Sequence, residues 1–218
     1  DAAMSVYQPL VNGDLREARM KLSWIVGRDT EKLSQSEITR AVVETVSENT
    51  SDGITAPLFF AFLFGAPGLW LYKAVNTLDS MVGHENEKFQ DFGYASAKMD
   101  DVLNYIPSRV TGYIILLWTK NYSKQSLRTR LANWWKDAKK HPSPNSGYLE
   151  AATACQLGVQ LGGLNMYKGI PSNRPRMGIS ENPLRAIHIL YTIRQMHIAI
   201  FLFWLMMIVI GGVLRDIT

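Results

Sequence analysis

Three groups of acids and amides stand beside apolar runs. Glu44, Glu48, Asn49 and Asp52 precede the uncharged residues 53–72, and Lys73, Asn76 and Asp79 follow them. Asp100, Asp101, Asn104 and Arg109 lead into and interrupt a second apolar stretch at 102–119. A carboxylate beside hydrocarbon is costly, so this placement needs a chemical reason. Carboxylates at this density suit Mg²⁺, which keeps several waters and takes one or two carboxylates plus substrate phosphates. Lys73 and Arg109 have the chemistry to hold phosphate oxygens. The competing reading is a solvated helix face laced with surface ion pairs, Arg40 with Glu44 first among them. No P-loop, G-x-G-x-x-G or G-x-S-x-G signature occurs.

Composition narrows the class. Of 218 residues, 47% are hydrophobic and 19% charged. The mean hydropathy of −0.05 is high for a soluble protein and low for one made only of membrane spans. Membrane segments mixed with sizeable polar regions fit that value. A single cysteine, Cys155, rules out an internal disulfide, and the four histidines lack zinc-type spacing. The chain begins at Asp1 without Met or a signal peptide, so we expect one helical domain over 1–218 that lacks an N-terminal hydrophobic region.

The elements that must position these groups read as mainly helical. Residues 10–25 have an amphipathic pattern, and 26–30 (VGRDT) are a loop. Ser34 with Glu37 is a capping box that opens a helix through about Ser47, with Arg40, Glu44 and Glu48 on one face. The run 53–72 is long enough to cross a bilayer, but Gly65, Pro67 and Gly68 break it. It is either a straight span or a re-entrant hairpin over 53–76 with arms of roughly 16 Å each. Only the hairpin returns Lys73 to the side of Asp52. Residues 102–119 suit a membrane helix kinked at Pro107. Residues 120–140 carry seven basic side chains against one acid, Asp137, with Trp134 and Trp135 among them. That pattern predicts a cytoplasmic segment facing the membrane, with the tryptophans as interface anchors. Residues 141–147 (HPSPNSG) are a turn, 148–161 a helix of small residues, 161–183 a Gly- and Pro-rich loop, and 198–214 a final membrane helix. No strand pattern is strong enough to predict a sheet.

The stretches VGRDT, AVVETVSENTSDGITAPLFF, YKAVNTLDSMVG, FGYASAKMDDVLNYIPSRVTG and HPSPNSGYLEAATACQLGVQLGG follow in that order. Together they resemble the adenosylcobinamide-phosphate synthase family of cobalamin biosynthesis, over about residues 15–178. The resemblance implies a multi-pass enzyme of the cytoplasmic membrane with its site on the cytoplasmic side. Such enzymes attach aminopropanol, as its phosphate, to the propionate side chain of adenosylcobyric acid, forming an amide with consumption of ATP and Mg²⁺. The residues carried over are Arg28 and Asp29; Glu44, Glu48, Asn49 and Asp52; Lys73, Asn76 and Asp79; Asp100, Asp101, Asn104 and Arg109; and Asn145 and Glu150. Cys155 stands where the family usually has a smaller residue, and reads as a buried side chain.

Under that resemblance Glu48, Asp52 and Asp79 are expected to hold Mg²⁺ and Lys73 to neutralise the transferring phosphoryl group. Asp100 or Asp101 would take the proton of the amine, and Arg109 or Arg28 would bind the amine's phosphate. Asn145 or Ser146 either caps the next helix or contacts substrate, with Glu150 in its first turn. His84 reads as a surface-loop histidine rather than a proton carrier. Membrane lipid is an expected partner, nucleic acid is not, and a homo-oligomer or a cobamide-assembly complex would fit. The alternatives are a membrane signalling protein like the related β-lactam-resistance sensors, or a corrinoid-binding scaffold without catalysis.

Overall fold

The structure is a computed structural model that describes residues 1–82 and 90–217, so His84 lies outside the described residues. The first expected helix is two, α1 (Ala2–Val11) and α2 (Leu15–Ser23). Gly13 adopts φ +81°, which breaks the helical ladder, and the Asp14 carboxylate restarts it by accepting from the Glu17 N–H at 2.9 Å. The loop at 26–30 is present. The capping box at α3 (Gln35–Thr50) forms in both directions, with Ser34 Oγ accepting from the Glu37 N–H and Glu37 Oε2 from the Ser34 N–H.

Helix α3 outlasts the expected end at Ser47 and passes through a π-helical turn, Ser51–Thr55, into α4 (Ala56–Val82). Gly65 breaks α4 with φ 65° and ψ −152°, a conformation that favours glycine. The two arms then lie against each other. Phe60 stacks on Tyr72 with centroids 5.4 Å apart, and a Cβ at Gly68 would stand 2.5 Å from the Phe60 carbonyl. The Tyr72 hydroxyl donates to the Asp52 carbonyl at 3.1 Å. A straight helix would separate those two residues by about 30 Å. The segment is therefore a helical hairpin, and it brings the first two polar groups together.

The stretch 102–119 is not one kinked helix. α5 (Gln90–Leu103) ends at Asn104, and α6 (Tyr105–Trp118) begins there, with Pro107 in its first turn, where no N–H is needed. At 14 residues, α6 extends roughly 21 Å, too short for a straight crossing. α7 (Leu127–Ala138) carries the basic segment, and α8 (Ser146–Leu157) is buried at every residue. The expected loop at 161–183 instead holds an antiparallel hairpin, β1 (Leu161–Tyr167) and β2 (Ile170–Met177). Lys168 and Gly169, both at positive φ, make its two-residue turn. Finally, α9 (Ile187–Ile217) is longer than expected.

Helix α8 is the axle. Ile115 of α6, Trp134 of α7, Leu149 and Cys155 of α8, Met177 of β2 and Phe203 of α9 form one buried cluster. Its small residues let neighbours approach closely. A second cluster packs α1 and α2 on α3 and α9 through Val6, Leu10, Leu22, Ile38 and Ile189. Trp134 is 1% exposed, which corrects its expected place at an interface, whereas Trp135 is 43% exposed. The missing side chain of Gly112 makes the room, since a Cβ there would lie 2.7 Å from the indole. The indole Nε1 donates to the Tyr148 carbonyl at 2.8 Å. Among the described residues, two helical segments are long and apolar enough to cross a membrane, Gln35–Met81 and Ile187–Val213. The first of these includes the hairpin bend at Gly65.

Candidate functional site

Residues of α3, the π turn, α4, α5, α8, β1 and β2, with Arg28 and the loop at 141–144, surround a cavity of about 550 Å³. Glu44 and Glu48 reach it from α3, Asp52 from the π turn, and Asp79 from α4. Asp100 and Asp101 reach it from α5, and Glu150 from α8. The π turn, Ser51–Thr55, carries Asp52 at its second position. The hairpin at Gly65 supplies Asp79. Acids far apart in the chain therefore share one cleft.

Two hydrogen-bonded chains hold its walls. In the first, Glu44 accepts from Arg28 at 2.6 Å, from Arg40 at 3.3 Å and from the Gly162 N–H at 2.8 Å. Arg40 also donates to the carbonyls of Gly162 and Leu164, and both arginines donate to Asn165 Oδ1. The expected surface pair of Arg40 with Glu44 is thus buried, and it fastens β1 to α3. An unpaired charge there would cost several kcal/mol, on the order of 3–5. In the second chain, Lys73 donates to Asn76 at 3.4 Å, and Asn76 donates to Asp100 at 3.2 Å. Asn104 donates to Asp100 at 2.9 Å and accepts from the Tyr72 hydroxyl at 2.9 Å. Asp100 is thereby oriented by two amides.

Four expected contributors, Asp29, Asn49, Arg109 and Asn145, lie off the cavity and outside the Lys73–Asp100 chain. The Asp29 carboxylate accepts from the Lys168 and Gly169 N–H groups at 2.9 and 2.8 Å and closes the turn of the β-hairpin. Asn49 is exposed and donates to the Thr45 carbonyl of its own helix. Arg109 stands behind the wall. Its guanidinium lies 3.5 Å from the Tyr105 ring centroid and 4.2 Å from that of Tyr148, and it donates to the Tyr105 carbonyl, the Pro144 carbonyl and Asn145 Oδ1. Asn145 makes no helix cap with its side chain, and neither does Ser146, which donates to Glu48 at 3.0 Å. Instead Ser143 Oγ accepts from the N–H groups of Asn145 and Ser146. Asn145 Nδ2 donates to the Asp101 carbonyl at 2.8 Å, which ties the loop before α8 to the end of α5.

The sequence reading missed His141, Asn165, Tyr167 and Arg174, which also line the cavity. They come from segments read as turn and loop. Zinc spacing was the wrong filter for His141, which lies 3.6 Å from Glu150. Tyr167 and Arg174 sit on the β-hairpin, which the prolines and glycines conceal.

Burial shifts the titration of these groups. It pushes the Asp100 carboxyl above its ordinary range, opposed by the hydrogen bonds from Asn76 and Asn104 and by the charge of Lys73. It does the same to Asp101 against the pull of Lys98. Glu150 is raised well above its usual value by burial, then by repulsion from Glu44 and Glu48. His141 is lowered by burial, against the hydrogen bond it makes to Ser143. Cys155 is buried, its thiol pushed up to about 12 by desolvation, so it is inert packing.

The expected Mg²⁺ ligands Glu48, Asp52 and Asp79 all line the cavity. Among the described residues, however, no three acids, histidines or cysteines are gathered as a ready-made ligand set. That donor chemistry fits an ion that keeps its waters and shares substrate oxygens, rather than a protein cage.

The family model described as "CobD/Cbib protein" matches residues 1–196. Over 218 residues the chain is 50% identical to a cobalamin biosynthesis protein CobD of Halalkalibacterium halodurans, covering all of this chain and 68% of the relative. It is 50% identical to a cobalamin biosynthesis protein CbiB of Salmonella typhimurium, over 91% of this chain and 62% of that protein. A CobD of Clostridium perfringens is 46% identical over 98% of this chain. The chain thus spans about two thirds of the length of these curated relatives. No solved structure matches.

Proposed function

The chain belongs to the CobD/Cbib protein family, and from that premise we propose that it is a membrane enzyme of cobalamin biosynthesis. It joins 1-amino-2-propanol, free or as its O-phosphate, to the propionate side chain of adenosylcobyric acid through an amide bond, with Mg²⁺-ATP as co-substrate. The observation that carries this reading is the meeting of acids from distant segments in one cavity with an oriented Asp100.

A carboxylate does not condense with an amine in water. Its oxygen must first leave as phosphate, so the site must hold a triphosphate beside the acid and exclude water. Glu48, Asp52 and Asp79 would hold Mg²⁺ together with phosphate oxygens, and the ion would neutralise charge on the phosphoryl group. Lys73, tethered to Asn76, adds a positive charge on that side. Asp100 takes the proton of the attacking amine, and its raised pKa brings it closer to that task. Asp101, the next residue on α5, lines the same cavity.

We place the Gly65 hairpin in the membrane as a re-entrant loop and α9 across it. Exposed Phe64, Trp70 and Leu71 on the hairpin, and Phe201, Trp204 and Val209 on α9, suit lipid. The basic residues of 120–140 favour the cytoplasmic side for the cleft. The test supplies membranes carrying the protein with adenosylcobyric acid, aminopropanol phosphate and Mg²⁺-ATP. Amide product is expected. Corrinoid binding without product would make the protein a scaffold, and neither binding nor product would leave a signalling role.

A further inference from the structure

The cleft is rich in acids, and its neighbouring cations already have partners. Arg28 and Arg40 are bound to Glu44, Lys73 donates to Asn76, and Arg109 lies behind the wall. Arg174 on β2 differs. It lines the cavity, is half-buried, and among the described residues its guanidinium makes no hydrogen bond or ion pair. The nearby acids do not satisfy it. Glu44 is committed to two arginines and a backbone N–H, and burial favours the protonated form of Glu150. Arg174 is nonetheless close enough for its charge to act on both Glu150 and His141.

A guanidinium offers five donors in a planar fork that matches phosphate oxygens two at a time. A fork left without a protein partner at the cavity wall is open to a ligand's oxygens. A dianionic phosphate entering this acid-lined cavity also needs a fixed cation more than any other substrate group does.

We propose that Arg174 is the anchor in the cleft for a substrate phosphate, which it holds through a bidentate contact. This rests on the function proposed above and assigns the phosphate-binding role that neither Arg109 nor Arg28 is free to take. Two substrates carry that chemistry, the phosphorylated amine and the nucleotide, and the test separates them.

Steady-state kinetics in membranes would compare the wild type with Arg174→Gln and Arg174→Lys. If the amine's phosphate is held, Arg174→Gln raises the KM for aminopropanol phosphate at least tenfold, with kcat within threefold and the KM for unphosphorylated aminopropanol unchanged. If the nucleotide is held, the KM for ATP alone rises. Lysine restores only part of the loss, because it lacks the fork. The proposal is overturned if both phosphate-dependent KM values stay within twofold, or if only kcat or the KM for the corrinoid acid changes. A wild type that forms no amide from either amine would overturn the function instead. The anchor then stands or falls on inorganic phosphate binding to the detergent-solubilised protein, followed by titration calorimetry. Tenfold weaker binding in Arg174→Gln, at an unchanged melting temperature, supports it, and equal binding ends it.

Discussion

Two amide donors fix the carboxyl of Asp100, and burial holds its pKa up. If it takes the proton of the amine, Asp100→Asn keeps the shape and removes the function. Turnover should fall on the order of a hundredfold or more at normal protein levels, and near wild-type turnover would exclude the role. The base must be deprotonated to work. The acid limb of the wild-type kcat/KM profile should therefore lie above the ordinary carboxylate range, and activity should be lost as pH falls through it. Glu150 gives a stability effect of known sign. Its folded-state pKa is raised well above the unfolded value, so the folded protein keeps a proton that the unfolded chain releases. Stability then declines as pH rises above the unfolded value, until the folded-state pKa is passed. His141 acts in the opposite sense below its ordinary value, because the unfolded chain binds the proton there. His141 lies 3.6 Å from Glu150, so the comparison of the wild type with Glu150→Gln is read above the ordinary histidine value as well as below it. Thermal melts should show the variant gaining on the wild type as pH rises above the ordinary carboxylate range, and parallel curves would show that Glu150 is ionised in the fold. The acids of the cleft were legible because charge beside an apolar run is conspicuous. His141 and Arg174 were not, because a lone histidine after a helix and an arginine between two prolines carry no local signal.

Turn chemistry decides what could be read at the level of elements. The Ser34–Glu37 box was plain because both partners lie within one helical turn. The Asn12-Gly13-Asp14 break was equally local but lay beneath an amphipathic pattern that ran through it. The β-hairpin was hidden for a physical reason. Pro171 and Pro175 cannot donate to a ladder, and Gly162 and Gly163 supply no side chain to alternate. Long-range partners rescue it: Arg40 donates to two β1 carbonyls, and Asp29 accepts from both turn N–H groups. Asp29→Ala should therefore lower stability by about 1 kcal/mol, because the hydrogen bonds are solvent-exposed. Turnover per folded molecule should stay within about twofold. A tenfold loss of turnover at unchanged stability would return Asp29 to the substrate. Gly112 has the opposite character. Any side chain there meets Trp134, so Gly112→Val should destabilise the α6–α7 contact by about 1–3 kcal/mol in denaturant melts.

For the molecule as a whole, one geometric fact joins the two ends of an apolar segment. The chain leaves the cleft at Asp52, runs out to Gly65 and returns by Tyr72, whose hydroxyl bonds the Asp52 carbonyl. A straight span would place Lys73 and Asp79 across the membrane from Asp52, and no common site would remain. In the hairpin, apolar side chains point outward near the bend while both polar ends converge. Asn49, Ala66 and Thr77 are exposed and mark the two ends and the tip, and the native Cys155 is buried and so should stay silent. Single cysteines at these three positions in sealed inverted vesicles should react differently with a membrane-impermeant maleimide. Positions 49 and 77 should label from the same, cytoplasmic face at comparable rates. Position 66 should label slowly from either face, because a thiol in hydrocarbon is seldom ionised. Labelling of 49 and 77 from opposite faces would contradict the fold-back and dissolve the cleft with it. Rapid labelling of 66 alongside them would keep the hairpin but move it out of the lipid. The chemistry needs only the convergence of the two ends, whereas the membrane location needs the buried tip as well.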